Sequence, residues 1–88
     1  MTNYEYAEKM QELCFQISQA CKVLEQKALQ DFYGAASDGF AQMRKEYSVE
    51  EAAKVISKDQ EEQLDATAAY AKELRKEAAE QIDKEISI

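Results

Sequence analysis

The side chains that could do chemistry in this chain are carboxylates, two cysteines and a pair of glycines. Histidine, the commonest general base and metal ligand, does not occur among the 88 residues. Glu61 and Asp65 would make an acid–base pair only if their surroundings desolvated them, and their neighbours are polar. Gly34 and Gly39 lack the preceding strand and the Gly-Lys-Ser/Thr of a phosphate loop. We therefore expect no catalytic, cofactor or metal site and a protein that is not an enzyme.

The two cysteines have a structural interpretation. Cys14 and Cys21 are seven residues apart, which is two helical turns, so they cannot bridge each other within one helix. No histidine or cluster of lysines surrounds them to favour a thiolate. We expect both to be small buried hydrophobic residues in a reducing compartment.

The charge of the chain disfavours several classes of partner. Eighteen acidic residues against eleven basic ones give a formal net charge of -7. Nucleic acids and anionic membrane surfaces attract basic proteins, so neither is expected as a partner. No apolar run approaches the length of a membrane span, which takes about 18 residues. The first eight residues lack the basic and apolar regions of an export signal, which predicts a cytoplasmic protein.

Hydrophobic periodicity predicts a long first helix, from about residue 3 to residue 46. Its apolar stripe recurs every three or four residues, through Tyr6, Met10, Leu13, Ile17, Cys21, Leu24, Ala28, Phe32, Ala35, Gly39 and Met43. The segment 33–39 contains both glycines and is the weakest part of this helix. We expect the helix to continue through it because the stripe stays in phase; a break there would give three helices instead of two.

A second helix is predicted from about residue 49 to residue 86. Ser48 and Glu51 form the capping-box pattern that starts a helix, after a turn at about 46–48. The expected inward stripe of this helix is Ala52, Ile56, Gln60, Gln63, Thr67, Ala71, Leu74, Ala78, Ile82 and Ile86. The polar run 57–63 interrupts it, either as a solvated stretch or with Gln60 and Gln63 fixing the register of an interface. Residues 1–88 are thus predicted to be one all-α domain, a long antiparallel helical hairpin.

One helix of this hairpin has more apolar surface than a single partner helix covers. A second apolar line, Leu29, Tyr33, Ala36, Phe40 and Tyr47, lies about 70° around the helix from the main stripe. We therefore predict an apolar surface or oligomer contact formed by Leu29, Phe32, Tyr33, Phe40, Met43 and Tyr47. A two-helix hairpin has little core, so we expect homo-oligomerisation into a helical bundle or coiled coil.

The segment from about Leu29 to Ala79 resembles the phasins, small helical proteins that coat polyhydroxyalkanoate storage granules in bacteria. The resemblance rests on three features: an aromatic and small-residue helix with Phe32, Tyr33, Ala36 and Phe40, the cap 48–52, and a long helix carrying the sequence 69–74, Ala-Tyr-Ala-Lys-Glu-Leu. It implies a non-catalytic, granule-associated surfactant. Apolar stripes would lie on the polyester, and the acidic face would keep coated granules apart.

A different class of function fits the same pattern. An oligomeric helical adaptor, chaperone or regulator would bind another protein through an apolar groove. Such a protein would bind its partner saturably and with fixed stoichiometry, and it would be indifferent to polyester.

Overall fold

The chain folds into four helices connected by short links. The computed structural model describes residues 1–86, with α1 at Asn3–Val23, α2 at Lys27–Glu46, α3 at Val49–Ala53 and α4 at Lys58–Ile86. Within these residues the only pairing of extended backbone is one isolated bridge between Thr2 and Val55. The predicted all-α class is therefore confirmed, and the helices pack into a bundle.

α1 and α2 pack side by side in opposite directions. The Ser18 hydroxyl donates to the Gln30 carbonyl oxygen at 2.9 Å, and the Ser37 hydroxyl donates to the Gln11 carbonyl oxygen at 3.0 Å. A Cβ atom on Gly34 would lie 3.4 Å from Ser18 Oγ, so the missing side chain helps the two helices approach closely. Small residues and side chain to backbone hydrogen bonds thus build this interface.

α4 runs parallel to α1 on another of its sides. Near the start of α1, Gln60 Nε2 donates to Asn3 Oδ1 at 3.3 Å, and further along Arg75 Nη1 donates to Gln16 Oε1 at 3.5 Å. α1 is therefore the central helix, against which both α2 and α4 pack, whereas α2 and α4 have few contacts with each other. The bundle is elongated, measuring 54 × 21 × 17 Å.

The prediction of one continuous helix over 3–46 is wrong, because the chain turns at residues 24–26. Glu25 has φ of 58°, and the amides of Glu25 and Gln26 donate to the carbonyl oxygens of Lys22 and Cys21. These two bonds form a Schellman motif, which ends α1 and reverses the chain. Folding back at this point lets α2 pack against α1.

The glycine segment does not break the helix. α2 continues through Gly34 and Gly39, as predicted for this segment. The surroundings of the two glycines differ, since a Cβ atom on Gly39 would have no neighbour within 4 Å. The predicted first helix is therefore broken at residues 24–26 and not in the glycine segment 33–39, where its sequence is weakest.

The second predicted helix is also divided. The turn at 46–48 and the capping box are confirmed, with Ser48 Oγ accepting from the Glu51 amide at 3.1 Å and Glu51 Oε1 accepting from the Ser48 amide at 3.2 Å. The helix that begins there, α3, ends at Ala53. α4 begins after Ser57, which forms a second capping box with Gln60 at 3.2 and 2.9 Å. The polar run 57–63 is thus the start of a new helix and not an interruption of an older one.

Two apolar clusters form the core. The larger one joins α1 to α4 and consists of Ile17, Ala20, Cys21, Ala71, Leu74 and Ala78. The smaller one lies near the N-terminal end of α1 and consists of Tyr6, Met10 and Ile56, with Phe40 and Leu64 packed against it. The extended link between α3 and α4 places Ile56 against Tyr6 and Met10. Burial of Ile56 in this cluster gives a physical reason for the division of the second predicted helix.

The end of α4 departs from the predicted inward stripe. Ile82 and Ile86 are exposed, and so is Gln63. Gln81 and Glu85 already lie beside residues 23–25, where α1 ends. The last turn of α4 therefore has no further part of α1 to pack against.

Candidate functional site

The structure divides the six residues of the predicted apolar surface into two groups. Three of them are exposed on α2, namely Leu29, Phe32 and Met43. The other three are half-buried, namely Tyr33, Phe40 and Tyr47. Phe40 packs against Tyr6, with the ring centroids 6.1 Å apart. All but Tyr47 lie within α2, so the structure places an exposed apolar face and its buried support on one helix.

The exposed face of α2 is the second part of the apolar stripe that was predicted for the first helix. All five of its residues are exposed: Ala28, Phe32, Ala35, Gly39 and Met43. Phe32 is the aromatic residue of this group, and 64% of its surface is exposed. The turn at 24–26 changes the phase of the helix, so the α1 part of the stripe is buried and the α2 part faces outward. We call these five residues the outer face of α2.

A groove lies between α2 and α4, next to this face. Tyr33 of α2 and Tyr70 of α4 meet there with ring centroids 5.8 Å apart. The groove has a volume of about 630 Å³, and its lining residues are Tyr33, Asp59, Glu62, Gln63, Ala66, Thr67 and Tyr70. Both helices pack on α1 but have few contacts with each other, which leaves the groove between them. We call it the tyrosine groove.

The α4 side of the tyrosine groove was not recognised in the sequence as a site. Its signal is a helical spacing of four and three residues that runs through Asp59, Gln63, Ala66, Tyr70, Glu73 and Glu77. The pattern carries little apolar content, so it was not distinguishable from a solvated helix face. The structure distinguishes this side of α4 from a solvated face because Tyr33 of α2 lies opposite Tyr70.

An arginine joins the other side of α2 to α1. Arg44 Nη1 forms an ion pair with Glu8 Oε2 at 3.3 Å, and Arg44 Nη2 donates to Gln11 Oε1. The guanidinium carbon also lies 5.6 Å from the centre of the Tyr4 ring. These contacts fix the α1–α2 packing, so we assign Arg44 a structural role.

The side chains that could take part in chemistry are either buried in the core or exposed on a helix surface. Cys14 and Cys21 are 2% and 0% exposed, and desolvation raises the pKa of each thiol. Glu61 and Asp65 are exposed on α4. In residues 1–86 the structure brings together no group of three or more histidine, cysteine, aspartate or glutamate side chains that could hold a metal ion. In the same residues no helix has the length and apolar character needed to cross a membrane.

Comparisons with models of known protein families, with curated protein sequences and with solved structures find no significant match. The resemblance to phasins therefore rests on the residues quoted for it above.

Proposed function

We propose that this chain is a non-catalytic, phasin-like protein that coats polyhydroxyalkanoate granules in the cytoplasm, with the outer face of α2 on the polyester. One observation carries the proposal: an apolar face about four turns long is exposed along α2, with Phe32 and Met43 as its large members. Large exposed apolar patches on soluble proteins mark binding surfaces, which is the role proposed for this face.

Adsorption would draw its free energy from burial of this face. Removal of apolar surface from water contributes about 25 cal/mol per Å², and aromatic side chains supply the largest areas. The net charge of -7 would then act between coated granules, because like-charged coats repel each other. The same molecule thus combines an adsorbing face with a charge that opposes coalescence.

In solution we propose that the same face is buried in a homo-oligomer. α2 would pair with α2 of another copy, where the small residues Ala35 and Gly39 allow close approach. The oligomer would dissociate or rearrange when the protein adsorbs, because one face cannot serve both contacts at once.

Depletion from solution by polyhydroxybutyrate particles tests the proposal. The wild-type chain should be taken up far more strongly than an unrelated acidic helical protein, and Phe32→Glu and Met43→Glu should each reduce the uptake at least several-fold. Val49→Glu is the matched control, since Val49 is 88% exposed but belongs to α3 and not to the outer face of α2. Circular dichroism checks that all variants remain helical.

Uptake no stronger than that of the unrelated protein would overturn the granule-coat proposal. Equal losses in Phe32→Glu and Val49→Glu would also overturn it, because the outer face would then have no special part in adsorption. Phe40 is unsuitable for this test because it is half-buried against Tyr6, and a charge there would disturb the core.

A helical adaptor is the second candidate function, and the tyrosine groove is the observation that favours it. A groove between two helices that share a third neighbour is a natural place for a partner helix. Stoichiometric, saturable binding of one protein, together with indifference to polyester, would identify this function.

A further inference from the structure

The tyrosine groove is a gap in an otherwise packed set of helices. α2 and α4 both pack along α1, yet they have few contacts with each other, and the Tyr33 and Tyr70 rings meet between them. The groove that these two tyrosines help to line has a volume of about 630 Å³. A further helix lying there would touch both α2 and α4 and would complete a four-helix bundle.

The two walls of the groove differ in chemistry. On the α2 side, the residue that lines the groove is Tyr33, so this wall is an aromatic ring. On the α4 side, Asp59 and Glu62 line the groove. The groove's lining, within the part of the chain that the structure describes, includes no lysine or arginine.

The acidic character continues along α4 beyond the groove's centre. Glu73 and Glu77 follow Tyr70 at helical spacing, and both are exposed. From Asp59 to Glu77 this acidic edge covers five turns, about 27 Å of helix at 1.5 Å per residue. An occupant of matching length would meet the Tyr33 and Tyr70 rings near the centre of the groove and carboxylates along α4.

We propose that the tyrosine groove binds a basic amphipathic helix of a partner protein. Its apolar face would pack on Tyr33, Tyr70 and Ala66, and its lysine or arginine side chains would lie along the edge formed by Asp59 and Glu62. A second copy of this chain is a poorer match, because its net charge is also -7. An anionic membrane is repelled by the same carboxylates. This inference does not rest on granule coating, which uses the outer face of α2.

The test measures binding of a fluorescent helical peptide by anisotropy. The probe is a synthetic amphipathic helix of about 18 residues, with leucine on one face and lysine on the other, which matches the length of the acidic edge. A peptide of the same length with glutamate in place of lysine is the charge control. A permuted leucine–lysine peptide, which has the same composition but no apolar face, is the pattern control. We expect saturable binding of the first peptide alone.

Charge reversal on α4 locates the site. The double variant Asp59→Lys, Glu62→Lys should weaken binding about tenfold or more, since two attractions become two repulsions. The matched control is Glu61→Lys, Asp65→Lys, which makes the same change in net charge on the same helix but away from the groove. Each double variant also changes one acidic residue in the first turn of α4, Asp59 or Glu61, so both perturb the helix end equally. The control should weaken binding far less.

Three results would overturn the proposal. Equal weakening by the two double variants would mean that the peptide responds only to net charge. Equal binding of the permuted peptide would mean that no apolar groove is involved. Absence of peptide binding would overturn the proposal by itself, and a dimer in sedimentation that Tyr70→Lys dissociates would then assign the groove to a second copy of this chain.

These results are separate from those of the granule assay. Uptake by polyester particles depends on Phe32 and Met43 and not on Asp59 or Glu62. Either proposal can therefore fail while the other stands.

Discussion

At the scale of single residues, burial decides what the reactive groups of this chain can do. Cys14 lies in the middle of α1 and Cys21 in its last turn, both with almost no exposed surface, and burial raises the pKa of both thiols. A thiolate is the nucleophilic form of cysteine, so a raised pKa lowers reactivity in addition to the steric barrier. The sequence predicted this outcome, because the two cysteines share one helix face and no histidine or cluster of lysines surrounds them to favour a thiolate.

Both thiols should therefore react slowly with iodoacetamide in the native protein. We expect the rate near neutral pH to be at least about a hundredfold below that of an unfolded thiol, because reaction requires opening of the fold. The rate should rise with pH, as more thiolate forms, and should reach the unfolded value in urea. Val49→Cys is the control, since residue 49 is exposed on α3. Native Cys14 and Cys21 that react as fast as Cys at position 49 would contradict the described burial.

The candidate surface was predicted only in part at this scale. Phe32 and Tyr33 are neighbours with similar hydrophobic character and T-shaped rings 5.1 Å apart. Nevertheless Phe32 faces outward and Tyr33 lies against the core. Periodicity put both on an apolar arc but did not say which would be covered, because that depends on where the neighbouring helices lie.

At the scale of elements, the turn after α1 determines the arrangement of the bundle. Its sequence contains no glycine or proline, so the usual signals of a helix end are absent. Glu25 adopts the left-handed conformation that glycine occupies more easily, at a cost of about 1 kcal/mol. The polar run 25–27 and the rotated apolar line on α2 were the only traces of this turn in the sequence. A change in the phase of an apolar stripe can thus mark a chain reversal that composition does not show.

Replacement of Glu25 by glycine should stabilise the protein. The substitution removes the cost of the left-handed backbone, partly offset by the greater freedom of glycine in the unfolded chain. We expect the free energy of unfolding to rise by about 0.5–1 kcal/mol, measured by urea denaturation with circular dichroism.

Glu12→Gly is the matched control for this prediction. It makes the same chemical change at an exposed position inside α1, where glycine should lower the free energy of unfolding by about 1 kcal/mol. The two variants should therefore have opposite signs. A loss of stability in both would mean that residue 25 does not hold the left-handed conformation in solution.

The helix starts were easier to predict than the helix ends. Ser48 with Glu51 was predicted as a cap, and Ser57 with Gln60 has the same spacing and forms the same pair of hydrogen bonds. The second cap lies within the predicted inward stripe, so periodicity alone does not show a helix start there. Its identification would have given the start of α4 from the sequence alone.

At the scale of the whole molecule, the beginning of the chain is tied to the link between α3 and α4. The Asn3 amide donates to the Lys54 carbonyl oxygen at 2.8 Å, and the Ile56 amide donates to the Met1 carbonyl oxygen at 3.0 Å. These bonds join segments more than 50 residues apart in sequence, and no local pattern predicts them. They hold Ile56 over Tyr6 and Met10 and so close the second core cluster.

The Asn3 side chain should be important for this closure, because it bonds to both helices that flank the link. Its Nδ2 donates to the Glu51 carbonyl oxygen at 2.9 Å, and its Oδ1 accepts from Gln60 Nε2 at 3.3 Å. Asn3→Ala removes both bonds and should lower the free energy of opening of the link by about 1 kcal/mol. Hydrogen exchange of the Ile56 amide should then become about fivefold faster.

The control separates this local effect from a general loss of stability. Gln19→Ala shortens an exposed polar side chain on the same helix, so exchange at Ile56 should stay at the wild-type rate. In Asn3→Ala, amides in the middle of α1, such as that of Cys14, should change less than the Ile56 amide, because the larger core cluster does not depend on the link. An unchanged Ile56 rate in Asn3→Ala would show that the backbone bonds alone hold the link. Equal acceleration at Cys14 and Ile56 would show that the bundle opens only as one unit, and the link would then have no separate stability to measure.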